Sequence, residues 1–163
     1  MIVTFFDIKE IVHKVFVPLE QILCAQCVNS RFYCKVLQQL HGNMRRHHPQ
    51  LWREQTWLLH HDNDPSHNSV LTHQFLAKNK IAVISHPLYS PDLAPRDIFL
   101  FPKLKLKLEG RQFDTIEEIQ AESQRVLDAL TEKDLQEAFQ KWRRWWDRCL
   151  HAGGNYFKGD GSR

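Results

Sequence analysis

The chain has little cysteine, little net charge and no long apolar run. Its four cysteines, Cys24, Cys27, Cys34 and Cys149, are too few and too unevenly placed for a disulfide framework, so a reducing compartment is the default expectation. No apolar run approaches the roughly 18 residues of a membrane span. No basic-then-apolar signal opens the sequence, so neither membrane insertion nor secretion is expected. Lys and Arg outnumber Asp and Glu by 22 to 19, a basic bias compatible with nucleic acid that does not demand it. What is present suits a folded domain. Of the 163 residues, 42% are apolar and 11% aromatic, enough for a sizeable core, and the length points to a single domain over 1–163. Neither an internal repeat nor a low-complexity segment interrupts it.

Ile2 to Phe6 reads as a strand, Asp7 to Glu10 as a polar link, and Ile11 to Val17 as a second β-branched and aromatic strand. The pair predicts an antiparallel hairpin, although the link lacks the Gly or Asn that fixes register in tight turns. Phe32, Val36, Leu37, Leu40 and Met44 predict a helix over 31–46, broken by Gly42 and ended before Pro49. Thr56 to Asp62 is a buried-type strand. Ser66 or Asn68 can cap a helix whose apolar side is Val70, Leu71, Phe75 and Leu76, and Ile81 to Ile84 is a further strand. Pro87, Pro91 and Pro95 then enforce an extended loop.

Lys103 to Leu108 alternates with period 2, which suits a strand, yet the unbroken run to Gly110 suits a helix equally well. Thr115-Ile-Glu-Glu118 is a capping box opening a helix with Ile116, Ile119, Val126, Leu127 and Leu130 on one face. Thr131 to Asp134 opens another, striped by Leu135, Phe139, Trp142 and Trp146 and ended by Gly153-Gly154. Strands interleaved with helices make the class α/β.

Four features could carry chemistry. Leu58-Leu59-His60-His61-Asp62-Asn63-Asp64 puts carboxylates where a buried strand meets a polar turn, a place suited to magnesium, which needs few oxygen ligands. The same residues can simply form an Asx turn. Pro91-Asp92-Leu93-Ala94-Pro95-Arg96-Asp97 presents Asp97 at a helix start, where the helix dipole favours a carboxylate with or without a function. Cys24-x2-Cys27-x13-His41-x5-His47 fits loose zinc-finger spacing, but without a hairpin or the usual apolar positions, so zinc is not expected. Lys103, Lys105, Lys107 and Arg111, with Arg143, Arg144 and Arg148 among tryptophans, could track a nucleic-acid backbone or form a solvated face.

Read together, these segments closely resemble mariner transposases. The resemblance lies in Phe5-Phe6-Asp7, in His60-His61-Asp62-Asn63-x-Pro65-x-His67, and in His86-Pro87-x-Tyr89-Ser90-Pro91-Asp92-Leu93-Ala94-Pro95-x-Asp97. Phe99-Leu100-Phe101-Pro102-Lys103-Leu104-Lys105, Trp146-Asp147-Arg148-Cys149 and Gly154-x-Tyr156-Phe157 carry it to the end of the chain. It implies a ribonuclease-H-like catalytic domain in which three aspartates hold two Mg2+ or Mn2+ ions for in-line phosphoryl transfer on DNA. By motif, Asp62 resembles the second aspartate and Asp97 the third. Asn63 and His67 would be near-site supports, Asp92 a loop residue, and the segment from Asp97 onward helical. A nuclear location, DNA and a homodimer or transposase-like partner follow from the same resemblance.

The departures bear on activity. The family's first aspartate lies in a Thr-Gly-Asp-Glu-Lys-Trp type motif before the Phe-Phe-Asp segment, and nothing of that kind occurs among these residues. The family's DNA-end-recognising helix-turn-helix domains have no counterpart either. Glu10, Asp64 and Arg96 stand where the family has a Gly, an Ala and a small residue. The expected fold is therefore an incomplete ribonuclease-H-like domain: β-hairpin, helix, strand-helix-strand, then C-terminal helices, with the central first strand missing. The expected function is that of a truncated, catalytically inactive transposase-derived protein with residual metal or nucleic-acid binding. The alternatives are an active metal-dependent nuclease or strand transferase taking its missing carboxylate from Asp7, Asp64 or another chain, and a protein-interaction module of the C-terminal helices.

Overall fold

The computed structural model describes residues 1–20, 28–87 and 94–151. The chain divides into two compact units, Met1–His86 and Pro87–Arg163.

The first unit opens with the expected hairpin: β1, Ile2–Phe6, pairs antiparallel with β2, Ile11–Phe16, with a register irregularity between Phe5 and Phe6. Without a Gly or Asn, the turn is made by Asp7, whose carboxylate accepts from the backbone N–H of Lys9 at 2.7 Å and of Glu10 at 2.9 Å. Helix α1, Ser30–His47, is capped by Asn29, whose side chain accepts from the Phe32 N–H. Its buried face is Tyr33, Val36, Leu37, Leu40 and Met44, a spacing of i, i+3, i+4, i+7 and i+11. Gly42 does not break it. Nothing lies within 4 Å of where a Cβ on Gly42 would stand, and the burial of four turns outweighs the roughly 1 kcal/mol an interior glycine costs. The helix ends at His47, before Pro49 as expected, and Pro49 starts α2, Pro49–Glu54, where its missing N–H is no loss.

The strand expected over Thr56–Asp62 is shorter, β3 at Leu58–His60, and pairs parallel with β4, Ala82–Ile84. Between them runs α3, Val70–Lys78, capped by Ser69 rather than by Ser66 or Asn68. Its buried side is Thr72 and Leu76, while Val70 is 73% exposed, so the expected apolar face is rotated. The reason is polar. The Thr72 hydroxyl donates to the Ser66 carbonyl at 2.6 Å and accepts from Ser69 Oγ at 2.9 Å, and this pulls Thr72 inward. Val12, Tyr33, Leu37, Leu40, Met44, Leu59, Leu76 and Ile81 make one core. The two strand pairs remain separate two-stranded sheets, the arrangement expected with the central strand missing.

In the second unit, Arg96–Leu100 forms a π-helical turn that runs directly into α4, Phe101–Leu108. The alternation of Lys103 to Leu108 is thus helical: Leu100 and Leu104 are buried at i and i+4, while Leu106 is 73% exposed. Pro95 belongs to this helix entry, with φ −55° and ψ −33°, not to an extended loop. Pro91 and Asp92 lie outside the described residues. Helix α5, Ile116–Asp128, begins with the expected Thr115 cap, the Thr115 hydroxyl accepting from Glu118 N–H at 3.2 Å. Its buried positions are Ser123 and Leu127, whereas Ile116 and Ile119 are exposed. Helix α6, Glu132–His151, buries Leu135 and Ala138, and Trp142 meets Phe139 and Trp146 edge to face. The expected Gly153-Gly154 stop lies outside the described residues.

Candidate functional site

Asp62 follows β3 by two residues, so the strand sets its position and the turn after it opens the side chain outward. Asp62 Oδ1 lies 2.7 Å from His67 Nδ1 and accepts from the Asp64 N–H at 3.2 Å. The neighbouring Asp64 faces its own turn, accepting at one oxygen from Ser66 N–H at 2.8 Å and Ser66 Oγ at 2.6 Å. Asn63 Nδ2 donates to the His86 carbonyl at 2.9 Å, and His86 Nδ1 sits 3.2 Å from His60 Nε2. These two contacts tie the ends of β3 and β4 together.

Behind Asp62 stands a group that sequence reasoning left without a role. Tyr33, 1% exposed on α1, places its hydroxyl 2.8 Å from His61 Nδ1. The Tyr33 ring lies 4.1 Å from the His67 ring by centroids, and His61 and His67 stack at 4.8 Å with 1° between their planes. Burial, helped by the nearby His67, drives the His61 imidazole down from 6.5 to about 4, so His61 is neutral at physiological pH. The signal for Tyr33 was present: it starts the helical spacing that buries Val36, Leu37, Leu40 and Met44, whereas the expected Phe32 is only half-buried.

Asp97 belongs to the second unit, in the first turn of the Arg96–Leu100 segment. Its backbone N–H donates to the Ala94 carbonyl at 3.0 Å, and Arg96 Nε stands 3.6 Å from its carboxylate. The guanidinium that replaces a small residue therefore offers Asp97 a counter-charge. Asp7 is engaged too, with its hairpin amides and, at 2.9 Å, with the buried His48. Of the four expected nucleic-acid contacts, Lys103 pairs with Asp134 and Arg111 with Glu122, whereas Lys105 and Lys107 point into solvent.

Cys24 and Cys27 lie outside the described residues. Of their proposed zinc partners, His41 packs edge-on against Trp52 at 4.0 Å, and His47 lies 3.3 Å from Glu10. Among the described residues no group of three or more His, Cys, Asp or Glu side chains is arranged to hold a metal ion. A single hydrated Mg2+ or Mn2+ asks less, because it keeps most of its waters and takes one or two carboxylates. Asp62, an oriented hard-oxygen donor at a strand end, fits that role.

A carboxylate at the end of a short parallel strand pair belongs to an α/β domain, and the superpositions give that domain the ribonuclease-H-like fold. The chain superposes on the catalytic domain of Mos1 transposase bound to raltegravir and Mg with a TM-score of 0.82 at 24% identity, covering 96% of this chain and 76% of that one. Against a pre-cleavage Mos1 transpososome the TM-score is 0.85, covering 96% of this chain and 45% of that one. In sequence it is 28% identical over 134 residues to the mariner Mos1 transposase of Drosophila mauritiana. It is 24% identical over 132 residues to the human histone-lysine N-methyltransferase SETMAR. These alignments take in 82% and 81% of this chain but only 39% and 19% of those proteins. No protein-family profile matches the chain. In sequence the chain is similar to part of the mariner Mos1 transposase, and in fold to the Mos1 catalytic domain.

Proposed function

We propose that this chain is a transposase-derived, nuclear DNA-associated protein whose 163 residues do not by themselves cut or join DNA. The observation that carries this reading is the fate of the carboxylates. Asp62 and Asp97 match two of the family's three metal ligands, while Asp7 and Asp64, the residues able to stand in for a third, are committed to their own turns. Two carboxylates can hold one hydrated ion, but the charge balance and bridging of a two-ion centre fail without the third. In this reading Asp62, held by His67, binds Mg2+ or Mn2+ weakly, Asn63 supports the turn that carries it, and Asp97 and Asp92 keep the roles that the motif of mariner transposases gives them.

DNA, as held by the transposon-end complexes of Mos1, would be met through Lys105 and Lys107, with Lys103 and Arg111 contributing only by giving up their ion pairs. Such binding is weak and salt-sensitive. A homodimer or a transposase-like partner is the family's precedent for a protein contact.

The test is incubation of the purified chain with supercoiled DNA in Mg2+ or Mn2+. No metal-dependent nicking is expected. Nicking that disappears in Asp62→Ala would overturn the proposal.

A further inference from the structure

We propose that His67, backed by Tyr33 and His61, is the positioning residue that sets Asp62 toward a divalent cation. The inference rests on reading Asp62 as a metal-facing carboxylate and adds residues to which that reading gives no role. A lone aspartate on a turn rotates about χ1 and χ2, and fixing it before an ion arrives removes an entropic cost of binding. His67 Nδ1 lies 2.7 Å from Asp62 Oδ1 and 3.2 Å from the Asp62 carbonyl. Both are acceptors, so the nitrogen between them carries a proton. That proton, together with the Asp64 N–H at 3.2 Å, holds Oδ1 and so sets the direction of the carboxylate.

His67 in turn is held by rings. Tyr33 packs on it at 4.1 Å, and His61 lies flat against it at 4.8 Å. The Tyr33 hydroxyl is hydrogen-bonded to His61 Nδ1 at 2.8 Å, which pins the His61 ring in register with His67. Residues 28 apart are thereby joined, and α1 becomes the wall against which the Asp62 turn is set. Partners that orient a ligating side chain in this way typically contribute a factor of about 10–100 in metal affinity.

The experiment uses the full chain and has two independent arms. In long-range 1H–15N spectra without metal, His67 is expected to carry its proton on Nδ1. A bare Nδ1 overturns the positioning role whatever Asp62 does. The second arm is titration with Mn2+, read as broadening of amide signals around residue 62. Loss of that broadening in Asp62→Asn supports the metal-facing reading, and unchanged broadening defeats that reading alone, leaving the tautomer to judge the hydrogen bond. With Asp62 confirmed, Tyr33→Phe and His67→Ala are each expected to weaken Mn2+ binding about tenfold. His67→Asn, which keeps an N–H donor near the same place, should recover most of it. Equal losses in the Ala and Asn variants, or Mn2+ affinity within twofold of the parent in Tyr33→Phe, would overturn the inference.

Discussion

The two units of this chain are held together by different kinds of contact. In Met1–His86 the deciding polar bonds join residues distant in sequence: Tyr33 to His61, Asn43 to Val12, Asn63 to His86. In Pro87–Arg163 most are local. Thr115 caps α5 three residues before Glu118, Thr131 and Asp134 bond to each other across three positions, and Gln124 reaches Asp128 one turn on. The first kind brings chemistry-bearing groups together and makes each depend on the folded core. The second kind makes helices that are legible residue by residue and individually modest in energy. Asp62 and the histidines around it therefore lie in the unit whose contacts are long-range.

The largest effect should come from that shared core. Leu37, 1% exposed on α1, is the place to remove volume: Leu37→Ala should cost about 2–5 kcal/mol, measured by urea unfolding followed at amide signals of the first unit. A loss below about 1 kcal/mol would mean α1 is not the organiser described here.

Acid should separate the units next. The folded value of His61 near 4 lies below its ordinary 6.5, so the unfolded state binds more protons between those values and stability rises with pH there. The first unit should accordingly lose stability as pH falls from about 6.5 to 4, by roughly 2 kcal/mol once partial exposure is discounted. The second unit behaves differently. Lys103, then the Thr131 backbone and hydroxyl, hold the Asp134 carboxyl far below its ordinary 3.8, and Arg125 leads in lowering Glu122. Their contributions are present above the unfolded carboxylate values and are lost only as pH falls further. Residue-resolved pH unfolding checks the order, and simultaneous loss in both units would erase the distinction.

Local contacts should give the smaller effects. Thr115→Ala removes the cap of α5 and should cost about 1 kcal/mol, seen as a lower urea midpoint and early fraying of Ile116 to Ile119. Lys103→Ala breaks a partly exposed ion pair with Asp134 and should cost no more than about 1 kcal/mol, shrinking in high salt. A Lys103 effect exceeding the Leu37 effect would reverse the comparison.

What could be read from residues alone followed the range of the forces involved. The hairpin turn, the cap at Thr115 and the start at Thr131 depend on neighbours within a few positions, and each is present. The helix from Asp97 onward was settled by the resemblance, because the local alternation of Lys103 to Leu108 pointed equally to a strand. Where the reading missed, a distant partner had decided. Thr72 turned inward because Ser66 and Ser69 satisfy its hydroxyl, and Gly42 stayed helical because the α1 face is buried on both sides of it.

The sequence by itself determined the resemblance to mariner transposases and most of the helices, because motif spacing and capping are properties of the local chain. Only the tertiary structure decided that His67 grips Asp62, that Tyr33 and His61 brace His67, and that Asp7 and Asp64 are spent on turns. Each of those depends on which groups folding brings within about 3 Å, the reach of a hydrogen bond, and no reading along the chain measures that distance.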